Sequence, residues 1–266
     1  PLIQYAVEEA VAAGVEVMIF ITGRNKTSIS NHFDTAYELE MELESRSKTE
    51  MLEVVRNITP PNVSCVFIRQ SMALGLGHAV LCAEPVVGNE PFAVILADDL
   101  IDDGARGCLA QMVEVFAETG CSILGTERVP PENTASYGIV ATEGEGKLVE
   151  VKGIVEKPKP EDAPSDLGVV GRYILTPEIF RHLARTGRGA GGEVQLTDGI
   201  ARLLEREKVM AYAFEGRRYD CGSKLGYLQA TVEFALKHPD LKEPFLDYLV
   251  TEFGQQARKI LRAIND

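Results

Sequence analysis

The sequence predicts an α/β fold built on a mixed, mostly parallel central sheet flanked by helices, and three stretches carry that reading. The first is FAVILADD, Phe92–Asp99, where six apolar residues stop abruptly at two carboxylates. That is the pattern of a buried strand delivering acidic groups to a sheet edge. The second is the close succession of an amphipathic helix, Leu2 to Val11, and an apolar strand, Val15 to Ile21. Helix and strand so near together imply a βαβ arrangement whose first strand precedes Pro1. The third is VSCVFIRQSMALGLGHAVLCA, which reads as strand, glycine turn and helix.

Taken in order, Leu2, Ile3, Ala6, Val7, Ala10 and Val11 recur at helical spacing, Pro1 suits a first turn and Gly14 a helix stop. The charge-dense segment Tyr37 to Asn57 is expected as one mostly exposed helix. Strand Val63 to Arg69 leads to Gly75 and Gly77, which would let the backbone approach a ligand, and to a helix from His78 to Ala83. No third glycine follows at the dinucleotide-fingerprint offset. Gln70, at the strand end, offers an amide donor and acceptor side by side, which matches a pyrimidine imide edge.

Beyond the central strand come a helix from Arg106 to Glu118 and a strand from Ser122 to Thr126. A more antiparallel portion is expected at Tyr137 to Ala141, Leu148 to Val155 and Gly168 to Leu175. Between the last two, EKPKPEDAP is too rich in proline for regular structure. Helices are expected at Pro177 to Arg185, Gln195 to Glu207 and Leu225 to Lys237, a strand at Val209 to Phe214, and a helical tail from Pro244.

Composition narrows the function. A chain of 266 residues with 45% hydrophobic and 25% charged residues is ordinary for a globular enzyme. A formal charge of −13 with no Lys/Arg cluster argues against nucleic acid, and no apolar run suggests a membrane span. Five scattered cysteines and no CxxC read as reduced thiols of a cytoplasmic protein, with no zinc site and no Cys/His nucleophile. The carboxylates ending FAVILADD suit Mg²⁺ carrying substrate phosphates; capping or solvation is the alternative.

Four patterns then coincide: QSMALGLGHAV (Gln70 to Val80), AVILADD (Ala93 to Asp99), YGIV with VEKPKP (Tyr137 to Val140, Val155 to Pro160), and GGEVQLTD followed by YDCGSKLGYLQA (Gly191 to Asp198, Tyr219 to Ala230). Together they resemble the bacterial UTP:glucose-1-phosphate uridylyltransferases of the sugar-nucleotidyltransferase superfamily. The resemblance implies a single Rossmann-like domain over residues 1–266, with a small antiparallel addition and C-terminal helices. It also implies a strand and a glycine-rich triphosphate loop upstream of Pro1.

The reaction so implied is attack of glucose 1-phosphate on the α-phosphorus of UTP, giving UDP-glucose and pyrophosphate. On this resemblance Gln70 and the Gly75 backbone read uracil, while Asp98 and Asp220 hold Mg²⁺. Lys157 neutralises the sugar phosphate, and Glu156, Tyr137, Gly138 and Val169 receive the sugar. Asp99, Asp102 and Asp103 are left to a solvated loop or helix cap. GGEVQLTD is expected to orient a helix, with Glu193 and Asp198 structural, or to line a subunit contact. A homo-oligomer, dimer or tetramer, is expected. The rivals are a glucose-1-phosphate thymidylyltransferase, a metal-using glycosyltransferase and a non-catalytic nucleotide-sugar-binding homologue.

Overall fold

The structure is a computed structural model describing residues 1–102, 104 and 106–265. The chain divides into two compact units. One comprises Pro1–Ala97 and Asp102–Arg217, the other Asp98–Ile101 and the chain from Arg218 onward.

The first unit opens with α1 (Leu2–Ala12). Gly14, at φ +86°, ends it as expected: the Gly14 and Val15 N–H groups donate back to the carbonyls of Val11 and Ala10 at 2.9 and 3.0 Å. β1 (Val17–Thr22) then pairs in parallel with β2 (Ser64–Arg69). Three helices lie between these strands: α2 (Thr27–Phe33), α3 (Tyr37–Ser45) and α4 (Thr49–Arg56). The single helix expected over Tyr37 to Asn57 is therefore two. Ser47, at φ +56°, closes α3: its N–H donates to Glu44 and that of Lys48 to Leu43, at 3.0 and 2.9 Å. This is a helix-ending motif usually marked by glycine, so a serine in that place gives no signal in the sequence.

After β2 come α5 (Leu76–Leu81), α6 (Glu84–Val87) and β3 (Phe92–Ile95). The chain next runs through β4 (Asp99–Asp102), α7 (Cys108–Thr119), β5 (Ser122–Arg128), β6 (Gly138–Glu143), β7 (Leu148–Glu156) and β8 (Leu167–Leu175). It ends with α8 (Glu178–Leu183), α9 (Leu196–Leu203), β9 (Val209–Ala213), β10 (Arg217–Asp220), α10 (Lys224–Ala235) and α11 (Lys242–Asn265). The proline-rich stretch after Lys157 is irregular apart from a 3-10 turn at Pro160–Asp162.

The larger sheet runs β3-β8-β5-β9-β7-β6, and β6 also pairs with β8, so five strands close a ring of pairings. The sheet is mixed, as expected, but not mostly parallel. Within it β5–β9 is parallel, whereas β3–β8, β5–β8, β6–β7, β6–β8 and β7–β9 are antiparallel. A strand buried on both faces shows the same apolar run whichever way its neighbours point, which is why the sequence could not decide this. The core joins this sheet to α8 and α9 through Leu124, Val140, Val151, Leu175, Ile179, Leu183, Leu196, Ile200 and Leu203.

In the second unit β10 pairs with β4, ahead of α10 and α11. Asp99 and Asp102 thus lie in a strand, not in a solvated loop or helix cap; Asp103 lies outside the described residues. Among the described residues no helix is long and apolar enough to cross a membrane.

Candidate active site

β2 delivers Gln70 beside the loop that opens α5. The Gln70 amide nitrogen donates to the Gly75 carbonyl at 3.1 Å and meets His78 Nδ1 at 2.9 Å. An amide nitrogen has only two hydrogens. Both are directed within the loop, so the group Gln70 can present to an imide N–H is its carbonyl oxygen. An amide donor for a pyrimidine carbonyl must then come from elsewhere, and the backbone N–H of Gly75 is the neighbour of the right kind.

Protein contacts alone require glycine at both loop positions. A Cβ on Gly77 would lie 2.8 Å from the Val194 carbonyl oxygen, and one on Gly75 would lie 2.7 Å from the Glu193 Cβ. Hydrogen bonds from Gly77 N–H to Val194 and from Val194 N–H to Leu74, at 2.9 and 2.7 Å, tie the loop to the strap that leads into α9. Gly75 also adopts φ +98°, which favours glycine on backbone grounds alone.

The residues expected at the sugar form one row across three strands. Gly138 of β6 sits opposite Glu156 of β7 on one side and Val169 of β8 on the other. One carboxylate oxygen of Glu156 accepts from the Thr197 hydroxyl at 2.8 Å, and the other lies 3.6 Å from the Lys157 ammonium. The Glu156 side chain is 14% exposed and that of Lys157 54%, so the carboxylate is held while the ammonium reaches outward. Lys157 takes φ +46°, and its N–H donates to the Tyr137 carbonyl at 2.9 Å. A non-glycine residue in this left-handed region is uncommon. It lets the chain leave β7 sharply, and it fixes where Lys157 projects. Tyr137 joins the group through its backbone and by packing beside Gly168.

In the second unit two further expected residues converge. The Asp220 Oδ1 and the Asp98 Oδ2 lie 3.0 and 3.2 Å from where a Cβ on Gly222 would stand. The two oxygens are thus no farther apart than those distances combined. Backbone bonds fix the geometry: Cys221 N–H donates to the Asp98 carbonyl at 2.8 Å, and Gly222 N–H to Asp220 Oδ1 at 3.0 Å. Among the described residues no lysine or arginine pairs with either carboxylate.

Their neighbour differs. Asp99 is 6% exposed and meets Arg218 Nη2 and Nε at 2.6 and 2.7 Å, so its charge is neutralised within the protein. Burial, and then the charges of Asp220, Asp99 and Asp98, push the Cys221 thiol up, which keeps it protonated and unsuited to nucleophilic attack.

Two unneutralised carboxylates with glycine leaving space beside them fit a hard divalent cation. Mg²⁺ commonly takes one or two protein carboxylates and completes its shell with water and substrate phosphates. No group of three or more acidic, His or Cys ligands stands ready for a metal among the described residues. Two carboxylates are fewer donors than a closed structural metal site supplies, and a cation held by them would complete its shell with other oxygens. Arg218 and Thr197 escaped the sequence reading because their roles exist only through partners far away in the chain.

Comparison with known proteins shows the family to which the chain belongs. The family model described as nucleotidyl transferase matches residues 1–236. The UTP--glucose-1-phosphate uridylyltransferase of Escherichia coli (strain K12) is 48% identical over 262 residues, covering 96% of this chain and 86% of that protein. Its counterpart in Bacillus subtilis (strain 168) is 46% identical over 257 residues, covering 95% and 87%. A crystal structure of UDP-glucose pyrophosphorylase complexed with UDP-glucose superposes with a TM-score of 0.82 at 45% identity, covering 90% of this chain and 88% of that one. UTP-bound UGPase from Acinetobacter baumannii gives a TM-score of 0.87 at 42% identity, covering 95% and 88%.

Proposed function

From the premise that this chain belongs to the nucleotidyl transferase family, we propose that its sites serve uridylyl transfer from UTP to glucose 1-phosphate, with release of pyrophosphate. The phosphate oxygen of glucose 1-phosphate attacks the α-phosphorus of UTP, the bond to the β-phosphate oxygen breaks, and UDP-glucose and pyrophosphate leave. The attacking oxygen is already an anion, so no protein nucleophile is needed. Catalysis rests on alignment and on charge neutralisation.

The Gln70 carbonyl oxygen accepts the uracil N3–H, and the Gly75 N–H donates to a uracil carbonyl. Glu156 accepts from sugar hydroxyls, and Gly138 and Val169, paired opposite one another on neighbouring strands, present backbone and a compact apolar surface to the ring. Tyr137 fixes Lys157 through its carbonyl, and the Lys157 ammonium faces the sugar phosphate as a compact charge. Asp98 and Asp220 hold Mg²⁺. When bound, that ion supplies positive charge to phosphate oxygens that gain negative charge as the bond breaks.

The observation that carries this reading is the convergence of Asp98 and Asp220 with no lysine or arginine among the described residues paired to either. Pyrophosphate release tests it. The protein with UTP, glucose 1-phosphate and Mg²⁺ should form UDP-glucose and pyrophosphate in equal amounts, with dTTP a much poorer donor. Equal use of dTTP would move the assignment to thymidylyl transfer, and absence of turnover with bound UDP-glucose would move it to a sensor.

The chain also carries exposed apolar residues at helical spacing on α10 (Leu225, Leu228, Val232) and on α11 (Leu246, Val250, Phe253). They support assembly of identical subunits, for which light scattering should report a mass of two or four chains. The five free cysteines support residence in the reducing cytoplasm.

A further inference from the structure

Thr197 does two things at once. Its hydroxyl donates to Glu156 Oε2 at 2.8 Å, and its methyl lies 2.7 Å from where a Cβ on Gly138 would stand. The residue is 7% exposed, so water does not compete for the carboxylate at that side. It also lies in the first turn of α9, directly after the strap Glu193 to Gln195, which is bonded to the base-reading loop through Val194. One short segment thus touches both Gly77 and Glu156.

We propose that Thr197 is a positioning residue for the sugar half of the reaction, acting through Glu156. A carboxylate flanked by the Lys157 ammonium 3.6 Å away has two ways to turn. It can aim both oxygens at the lysine, or it can keep one oxygen fixed and offer its remaining lone pairs to sugar hydroxyls. The Thr197 hydroxyl selects the second. Its methyl fills the space beside Gly138, and that contact is the reason the strand is glycine there. A hydrogen bond to a charged group in a nearly dry place is among the stronger ones. The proposal rests on the assignment of Glu156 to the sugar.

The test is steady-state kinetics on the full chain with Thr197→Val, Thr197→Ser and Glu156→Gln. Valine keeps the methyl and removes the hydroxyl. It should raise KM for glucose 1-phosphate about tenfold and leave KM for UTP within twofold of the parent, with serine restoring most of the loss. A rise in both KM values by the same factor would mean that the strap has simply been loosened, and would overturn the proposal. So would unchanged KM for glucose 1-phosphate in Thr197→Val where Glu156→Gln raises it. If Glu156→Gln itself leaves that KM unchanged, the assignment of Glu156 is wrong and the proposal falls with it. Thermal denaturation of each variant identifies one that fails to fold, and in that event Thr197→Ser against the parent carries the decision, since serine keeps the hydroxyl and must keep the low KM.

Discussion

Asp98 and Asp99 are adjacent in the chain and could hardly be more different in circumstance. Asp99 is buried against Arg218, and its charge is spent on a protein partner; Asp98 meets Asp220 with no described cation between them. The sequence set the two apart but gave Asp99 to a solvated loop or helix cap, because its partner lies 119 residues away. Glu156 and Lys157 show a similar limit. As an adjacent charged pair they look like any exposed surface, and only the row of Glu156, Gly138 and Val169 reveals them as neighbours on one sheet. Lys157 is free to be tested alone, since its side chain is half exposed and little packing rests on it. Lys157→Ala should raise KM for glucose 1-phosphate or lower kcat by about a hundredfold, with unchanged thermal stability. Kinetics indistinguishable from the parent would remove it from the sugar-phosphate site.

Elements whose ends are marked by glycine or proline were legible. α1 stops before Gly14 as expected, and α5 begins directly after Gly75, two residues earlier than the expected His78. The break between α3 and α4 was not legible, because Ser47 does work that glycine usually does. The direction of the strands was also hidden, since β8 is apolar along nearly its whole length and pairs antiparallel on both sides. The glycine loop before α5 was placed correctly, and the structure adds a reason that the sequence did not show. Its closeness is to the Val194 backbone, so a methyl group at Gly77 displaces backbone and not a flexible side chain. Gly77→Ala should therefore cost about 1–3 kcal/mol of stability and raise KM for UTP more than KM for glucose 1-phosphate. Denaturant unfolding with the two KM values checks this. An alanine variant as stable as the parent would show that the loop has room to move.

At the scale of the first unit, the least expected feature is a buried charge. Arg172, in the middle of β8, is 1% exposed and forms a forked pair with Glu9 of α1, with Nη2 at 2.6 Å and Nε at 2.9 Å from the carboxylate. Arg172 also donates to the carbonyls of Leu96 and Gly171, and Glu9 accepts from the Leu109 N–H at the start of α7. One ion pair thus binds a helix, two strands and the entry to a second helix. An arginine inside an apolar run such as GVVGRYIL demands a partner, but the sequence cannot say which of many carboxylates answers it. Removing the partner leaves an uncompensated guanidinium in the core. Glu9→Ala should lower stability by about 3–5 kcal/mol and thermal unfolding should show it as a drop of about 10 °C. A drop of a degree or two would mean that water reaches Arg172.

The account depends most on two carboxylates sharing one divalent ion. Mn²⁺ binding followed by electron paramagnetic resonance, with UDP-glucose present, addresses it directly. The parent protein should bind one Mn²⁺ per chain, and Asp98→Asn and Asp220→Asn should each weaken that site by at least tenfold while circular dichroism stays that of the parent. Parent-like affinity in both variants would contradict the assignment of Asp98 and Asp220 to the cation.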